Sequence, residues 1–293
     1  MISLEGTELA SIVKKQCAAD ASDFLSRFGR KPLLAVVLIG SNPSSRSYVF
    51  GKRKACDLVG IDHRDLFFPS EMTEPELLEL IDSLNTDDDV DGILVQLPLP
   101  KHINESKVIN RILPSKDVDG FTPINMGNLL LGNPCLAPCT PKGILKMLDY
   151  YGISTDSKDV CIIGRSNIVG KPLSAMLLQK DRNATVTVCH SLTSNIRPHV
   201  AESDIVITAV GKPGIIDASM VKPGAAVIDV GITRVEDPSS PKGYHWAGDA
   251  DYESVSRVCG AITPVPGGVG PMTIAMLMSN TVDAAFMRKG IKR

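Results

Sequence analysis

The stretch DVCIIGRSNIVGKPLSAMLL, residues 159–178, decides how this chain is read. Its first six residues are a short apolar run ending in Gly164, the pattern of a strand buried in a parallel sheet. An apolar helix follows, so strand, glycine turn and helix come in the order that aims helix amides at a pyrophosphate. The glycines are Gly164 and Gly170, the G-x-G-x-x-G spacing is absent, and the turn by itself is equally an ordinary strand-to-helix connection. Two neighbours tip the reading. Arg165 directly after the turn places a cation near an adenosine ribose, and the next strand, 184–190, runs into CHSLT rather than an acidic residue. A carboxylate there would bind a bare ribose 2′-OH and repel a 2′-phosphate, whereas Arg165 and Ser191 suit the phosphate. The sequence therefore favours NADP over NAD. His190 is either a neighbour of that ligand or a structural histidine at a strand end.

Working outward, apolar runs at 204–210 and 225–231 add strands to the same sheet, whose ligands belong beyond the C-terminal ends. The segment VEDPSSPKGYHW, 235–246, reads as a surface loop. Upstream, a second alternation of strands and helices begins. Leu9, Ile12, Val13, Cys17, Phe24, Leu25 and Phe28 predict a helix over 7–28 with Gly29 as its cap. PLLAVVLIG (32–40), HRDLFFP (63–69) and DGILVQLPLP (91–100) read as strands. Ser44 or Ser45 caps a helix that runs to about Val59. Thr73 and Glu76 form a capping box with Pro75 in the first turn, and residues 104–113 form another helix. Thr140 and Pro141 open a helix that closes at Gly152. The last helix starts at Pro271, with Ile274, Leu277, Met278, Val282 and Phe286 on one stripe. Alternating strands and helices predict an α/β protein with mostly parallel sheets.

Length and composition agree. At 293 residues, 43% hydrophobic and 22% charged, the chain suits two modest soluble domains. A net charge of −2, with only Lys52-Arg53-Lys54 as a basic cluster, argues against nucleic acid. The seven cysteines are odd in number and scattered, and Cys135-x3-Cys139 lacks the second half of a zinc motif, so neither a disulfide framework nor a metal is expected. A reducing compartment fits. The start MISLEGTELASIVKK is neither a signal nor a transit peptide, and no apolar run reaches membrane-spanning length; a cytoplasmic protein with no membrane partner is expected.

The candidate chemistry lies in the first half. Tyr48 and Lys52 are four apart and share a helix face just beyond the C-terminal end of a strand. A lysine there can move protons if burial lowers its pKa, although a surface pair is the plainer reading. Gln96, the lone polar group of its strand, is a satisfied core amide or an oriented functional group. Asp117 and Asp119 precede a glycine and equally suit a turn.

Together the segments SYVFGKRKACDLVGI, DGILVQLPLP, KDVDGFTPINMG, PCTPKGI, GRSNIVGKP, ATVTVCHS, DVGI and TPVPGGVGPMT closely resemble the bifunctional methylenetetrahydrofolate dehydrogenase/methenyltetrahydrofolate cyclohydrolase family, in the family's order and over nearly the whole chain. The resemblance implies two α/β domains around a cleft: residues 1–139 with 272–293 would bind folate, and 140–271 would form a Rossmann-like NADP domain. It implies homodimers, and oxidation of 5,10-methylenetetrahydrofolate followed by hydrolysis to 10-formyltetrahydrofolate. Lys52 matches the catalytic lysine, Tyr48 the aromatic stacked on folate, Gln96 the amide tuning that lysine, and Asp119 the carboxylate holding the pterin. Leu97, Pro264, Gly267, Gly268 and Pro271 join the folate set. NADP falls to Gly164, Arg165, Ser166, Ile168, Val169, Gly170, Pro172, His190, Ser191, Gly231 and Ile232. One local oddity stands beside Lys52: Gly51 lowers helix propensity by about 1 kcal/mol relative to Ala, which either loosens this helix or admits close packing.

Overall fold

The structure is a computed structural model that describes residues 1–240 and 242–291, the side chain of Ser44 apart. In chain order the elements begin β1 (Ile2–Ser3), α1 (Gly6–Phe28), β2 (Leu33–Ile39), α2 (Pro43–Val59), β3 (Asp62–Phe68), α3 (Glu74–Thr86) and β4 (Gly92–Val95). Next come α4 (Glu105–Arg111), α5 (Pro123–Leu131), α6 (Cys139–Tyr150), β5 (Asp159–Ile163), α7 (Gly170–Leu177) and β6 (Thr185–Cys189). The chain continues with α8 (Arg197–Glu202), β7 (Ile205–Thr208), β8 (Ala226–Asp229), β9 (Thr233–Glu236) and β10 (Tyr244–Ala247). It closes with α9 (Tyr252–Val255), β11 (Ala261–Ile262) and α10 (Val269–Arg288). These elements fall into two compact units. One holds Ser11–Cys139 and the chain from Ile274 onward; the other holds Met1–Ala10 and Thr140–Thr273.

In the first unit, β2 lies between β3 and β4 in a parallel sheet. The run LLAVVLI takes the middle because it has an apolar side chain for both faces, and all but Leu33 are buried. The edge strand β3 carries Asp62, Arg64 and Asp65, charges that discourage pairing with another chain. Leu77, Ile81 and Leu84 of α3 pack with Val37, Ile39 and Ile93 of the sheet. The capping box of α3 forms as the sequence predicts, with the Glu76 backbone N–H donating to Thr73 Oγ1 and the Thr73 N–H donating to Glu76 Oε2. On α2 the cap is Asn42, whose Oδ1 accepts from the Ser45 N–H at 3.3 Å; Ser45 is the third helical residue, and the Ser44 side chain lies outside the described residues. β4 stops at Val95, well short of residue 100, because Pro98 and Pro100 have no N–H to offer a ladder. Asp91, fully buried at the start of that strand, takes two hydrogen bonds from Arg30 at 2.6 and 2.8 Å and one from Arg288 at 2.8 Å. The end of α1 and the end of α10 are thereby tied to the sheet through a paired charge.

The second unit is built on a six-stranded, all-parallel sheet in the order β1-β11-β8-β7-β5-β6. Residues Met1–Ala10, grouped by the sequence reading with the folate domain, count with this sheet because Ile2 and Ser3 pair with Ala261 and Ile262 of β11. The order around β5 places β6 on one side and β7 on the other, the reversal at which open α/β sheets bind ligands. Of the expected surface loop at 235–246, residues 237–240, 242 and 243 are irregular as read, but its ends, 235–236 and 244–246, pair in an antiparallel hairpin of β9 and β10; Pro241 lies outside the described residues. The Arg234 guanidinium lies 4.1 Å over the Tyr244 ring, and Tyr244 meets Trp246 edge-on, contacts that local propensity does not announce. The last helix, α10, starts at Val269, two residues before Pro271, and is buried nearly all round from Ala275 to Val282 rather than along one stripe.

Candidate active site

In the first unit, α2 and the end of β4 bring Lys52 and Gln96 together, 44 residues apart in sequence. Lys52 Nζ donates to Gln96 Oε1 at 2.9 Å, and Gln96 Nε2 donates to the Leu97 carbonyl at 2.7 Å. The second bond orients the amide so that its oxygen faces the lysine. Burial pushes the Lys52 pKa down, with Asp119, Cys139 and Cys56 opposing the shift through their charges. Asp119 is pushed up to about 6 by burial, which the Lys52 charge offsets and the Asp117 charge reinforces. Among the described residues no donor is hydrogen-bonded to the Asp119 carboxylate. Tyr48, one turn before Lys52, is 51% exposed, so its ring face is open. Gly51 leaves α2 unbroken; a Cβ there would meet Ile274 Cδ1 at 3.6 Å, an ordinary contact, so close packing does not require the glycine.

The turn bearing Asp119 is organised by its neighbour. Asp117, buried, accepts from the backbone N–H of Gly120 and of Thr122 at 2.9 and 2.7 Å and from Asn125 Nδ2 at 3.0 Å. Asp117 is thus a turn former, as one of the two sequence readings has it.

In the second unit the nucleotide candidates follow the C-terminal ends of three strands of the one parallel sheet. Gly164 to Pro172 follow β5, His190 and Ser191 follow β6, and Gly231 and Ile232 follow β8. The glycine turn is tight. A Cβ on Gly170 would lie 2.0 Å from the Gly164 carbonyl oxygen, and one on Gly164 would lie 2.6 Å from that of Ala209. Gly164 also sits at φ +128°, a conformation that side chains resist. Ser166 closes the loop by accepting from the Val169 N–H at 3.0 Å, while Arg165, Ser166 and Ile168 stay exposed. His190 Nδ1 accepts from the Leu192 N–H at 3.2 Å, which commits that nitrogen to shaping the loop.

Pro264, Gly267, Gly268 and Pro271 also belong to this second unit. Gly267 takes φ +114°, and its carbonyl accepts from the Thr7 N–H at 3.1 Å. The backbones touch here: a Cβ on Gly6 would lie 1.7 Å from the Gly268 oxygen.

Two residues that the sequence reading passed over hold this edge together. Asp229 accepts from the backbone N–H of Gly231, Asp249 and Ala250 at 2.9, 3.0 and 2.8 Å. Asp249 accepts from Thr208 Oγ1 at 3.0 Å and from the N–H of Val210 and Lys212 at 2.7 Å each. Both are buried. Glycine alone fits beside them, since a Cβ on Gly231 would lie 2.3 Å from Asp249 Oδ1 and one on Gly248 would lie 2.0 Å from Asp229 Oδ2. The signal available in sequence was an aspartate with a glycine one or two positions away, in DVG and again in GDAD.

A parallel sheet with a glycine turn at its switch point, joined in one chain to a unit bearing a part-buried lysine on an oriented amide, defines a nucleotide-dependent enzyme built of two α/β units. The family follows from comparison with known proteins. Residues 4–119 match the tetrahydrofolate dehydrogenase/cyclohydrolase catalytic domain, and residues 138–289 match the NAD(P)-binding domain of the same family. The chain belongs to the tetrahydrofolate dehydrogenase/cyclohydrolase family. It is 51% identical to the bifunctional protein FolD of Acetivibrio thermocellus over 289 residues, which cover 99% of this chain and 98% of the relative. Its structure is similar to that of the bifunctional FolD enzyme from Campylobacter jejuni, with a TM-score of 0.93 and 46% identity over 98% of this chain and 99% of the other. It is similar as well to the Trypanosoma brucei FolD crystallised with NADP cofactor and inhibitor, with a TM-score of 0.93 and 37% identity over 99% of this chain and 98% of the other.

Proposed function

We infer that this chain carries both activities of its family: NADP-dependent oxidation of 5,10-methylenetetrahydrofolate to the methenyl form, then hydrolysis to 10-formyltetrahydrofolate. The observation that carries the reading is Lys52, part-buried and bonded to Gln96 at 2.9 Å, with Asp119 close enough for its charge to act on the lysine.

The turn from Gly164 to Gly170 fits a pyrophosphate because its glycines clear the backbone and its amides open the helix α7. Arg165 and Ser191, both exposed, would take a 2′-phosphate, with Ile168, Val169, Pro172, His190, Gly231 and Ile232 around the rest of the dinucleotide. NADP, when bound, supplies the hydride acceptor; the protein supplies orientation and electrostatics.

Removing hydride from the methylene bridge leaves a delocalised cation on the folate. A protonated lysine beside it would oppose that charge, and the lowered pKa of Lys52 keeps more of the amine neutral. Its donation to Gln96 leaves the nitrogen lone pair free. Water adds to the methenyl carbon, Lys52 takes a proton from that water, the proton passes to the ring nitrogen as its bond to carbon breaks, and the remaining hydroxyl proton leaves to solvent as the formyl C=O forms. Asp119 accepts from the amino and ring N–H groups of the pterin, a donor edge that asks for a carboxylate. Tyr48, half exposed, would stack on the folate, with Leu97 of the same unit in the folate set; Pro264, Gly267, Gly268 and Pro271 are assigned to folate by the family resemblance alone.

The test is methenyl-folate absorbance followed with the purified protein, with NADP and with NAD, for wild type and Lys52→Met. Expected are methenyl formation with NADP, its enzymatic consumption, and a loss of that consumption of about 10²-fold or more in the variant. A wild-type protein that accumulates the methenyl form is a dehydrogenase only. A Lys52→Met variant that still consumes it at the wild-type rate removes Lys52 from the chemistry. We further propose a cytoplasmic homodimer: the seven free thiols suit a reducing compartment, and the dimer rests on the family resemblance. Light scattering on the eluting protein tests the second point.

A further inference from the structure

Asn280 lies in the middle of α10 and is fully buried. Its neighbours along the helix, Met276, Leu277, Met278 and Val282, are buried and apolar, so an amide here needs partners of its own. It has them on two other segments. Nδ2 donates to the Val118 carbonyl at 2.8 Å and to the Ala137 carbonyl at 2.8 Å. Cys139 Sγ adds a weaker bond to Val118 O at 3.4 Å. Both carbonyls belong to irregular backbone, where no ladder would otherwise take them up.

Val118 is the residue before Asp119, and the residue after it is held as firmly. Gly120 donates its N–H to Asp117 Oδ1 at 2.9 Å and sits at φ +73°. A Cβ on Gly120 would lie 2.6 Å from the Leu136 carbonyl oxygen and 2.7 Å from the Ala137 carbonyl carbon. The turn at 117–120 is therefore laid directly on the segment 136–139, and one side-chain amide rivets the two. The Asp119 carboxylate itself has no donor holding it among the described residues, so the direction in which it points is set by this backbone.

We propose that Asn280 is a positioning residue for Asp119: by bonding the carbonyls of Val118 and Ala137 it fixes the backbone that aims the Asp119 carboxylate at the pterin edge. The proposal rests on the reading of Asp119 as the pterin carboxylate. Leucine, of similar size, would leave the Ala137 carbonyl without this donor and the Val118 carbonyl with only the weaker bond from Cys139 Sγ, and aspartate would set a carboxylate against them. Without the amide the turn and the 136–139 segment lose their stronger shared donor and keep the weak bond from Cys139 Sγ to Val118 O, and a shift of about 1 Å in a binding group is enough to cost roughly 10²-fold.

The experiment compares Asn280→Ala and Asn280→Ser with Asp119→Ala and with Val282→Ala, a cavity variant buried on the same helix. For each, KM for 5,10-methylenetetrahydrofolate, KM for NADP, kcat, the pH profile of kcat/KM and Tm are measured. Asn280→Ala is expected to raise the folate KM tenfold or more, leave the NADP KM within twofold, and move the acid limb of the pH profile, because the surroundings of Asp119 change. Asn280→Ser keeps one donor and is expected to raise the folate KM about threefold. Val282→Ala is expected to lower Tm without these changes. If Asn280→Ala alters the folate KM no more than Val282→Ala does, the proposal is overturned and Asn280 is a stability residue only. If the alanine variant does not fold, the serine variant decides, and an unchanged folate KM overturns the proposal. If Asp119→Ala itself leaves the folate KM unchanged, the reading of Asp119 fails, which is a different result from a defect confined to Asn280.

Discussion

Asp119 in one unit and Asp229 in the other are both pushed up to about 6, chiefly by burial, yet they are held in opposite ways. Asp229 accepts from three backbone N–H groups, and its neighbour Asp249 accepts from two more and from a threonine hydroxyl. Asp119 has charges around it, Lys52 in favour and Asp117 against, and no bonded donor among the described residues. A saturated carboxylate shapes backbone; an unsaturated one keeps its lone pairs for a ligand. Under the proposed function, the first pattern is that of a scaffold for the nucleotide edge and the second that of a group kept for folate.

The same substitution at the two places should separate them. Asp249→Asn turns one acceptor into a donor that faces an N–H, and leaves at least one buried donor unpaired whichever way the amide lies. A stability loss of about 3–4 kcal/mol is expected, read by urea unfolding. Asp119→Asn is expected to act in the other direction. Its folded value of about 6 lies above the ordinary 3.8, so the fold favours the neutral form. The stability from that preference is full below pH 3.8 and is lost as the pH rises through about 6. At pH 7.5 the neutral amide should therefore raise stability, by up to about 3 kcal/mol, while folate affinity falls. A destabilised Asp119→Asn protein would break the comparison.

The pH profile sharpens it. If the ionised Asp119 binds the pterin donors, kcat/KM for methylene-folate should fall as pH drops below about 6, and that limb should vanish in Asp119→Asn. The smallest effect concerns Gly51. Its Cβ position is in ordinary contact with Ile274, so Gly51→Ala should stabilise the protein by about 1 kcal/mol, read as a rise in Tm with both activities retained.

Much of this is legible in the amino-acid sequence alone. The capping box of α3 and the apolar run of β2 act through neighbours in the chain, so local chemistry announces them. The glycine turn at 164–170 was legible for the same reason. Other features were not. Two-residue strands such as β1 and β11 have too little sequence to show a period, and they exist because each pairs with a distant partner. The hairpin of β9 and β10 is disguised by Pro238, the serines and Lys242, residues that read as loop, while the Arg234 guanidinium stacked across the strands on Tyr244 helps hold it. The sequence offers Tyr48, Lys52, Gln96 and Asp119 as candidates, but a surface pair is the plainer local reading of the first two, and a core amide and a turn aspartate are equally good local readings of the others.

What the sequence determined by itself is the kind of element at each stretch and the inventory of reactive groups, because propensity, capping and periodicity act over a few residues. What only the tertiary structure decided is which groups are satisfied. Gln96 could have been a core amide until its oxygen was found on Lys52. Asp117 and Asp119 are two residues apart and chemically identical, yet the first is saturated by its own turn and the second is not. Burial and hydrogen-bond partners come from segments far away in the chain, and they set both the pKa of a group and its freedom to meet a ligand.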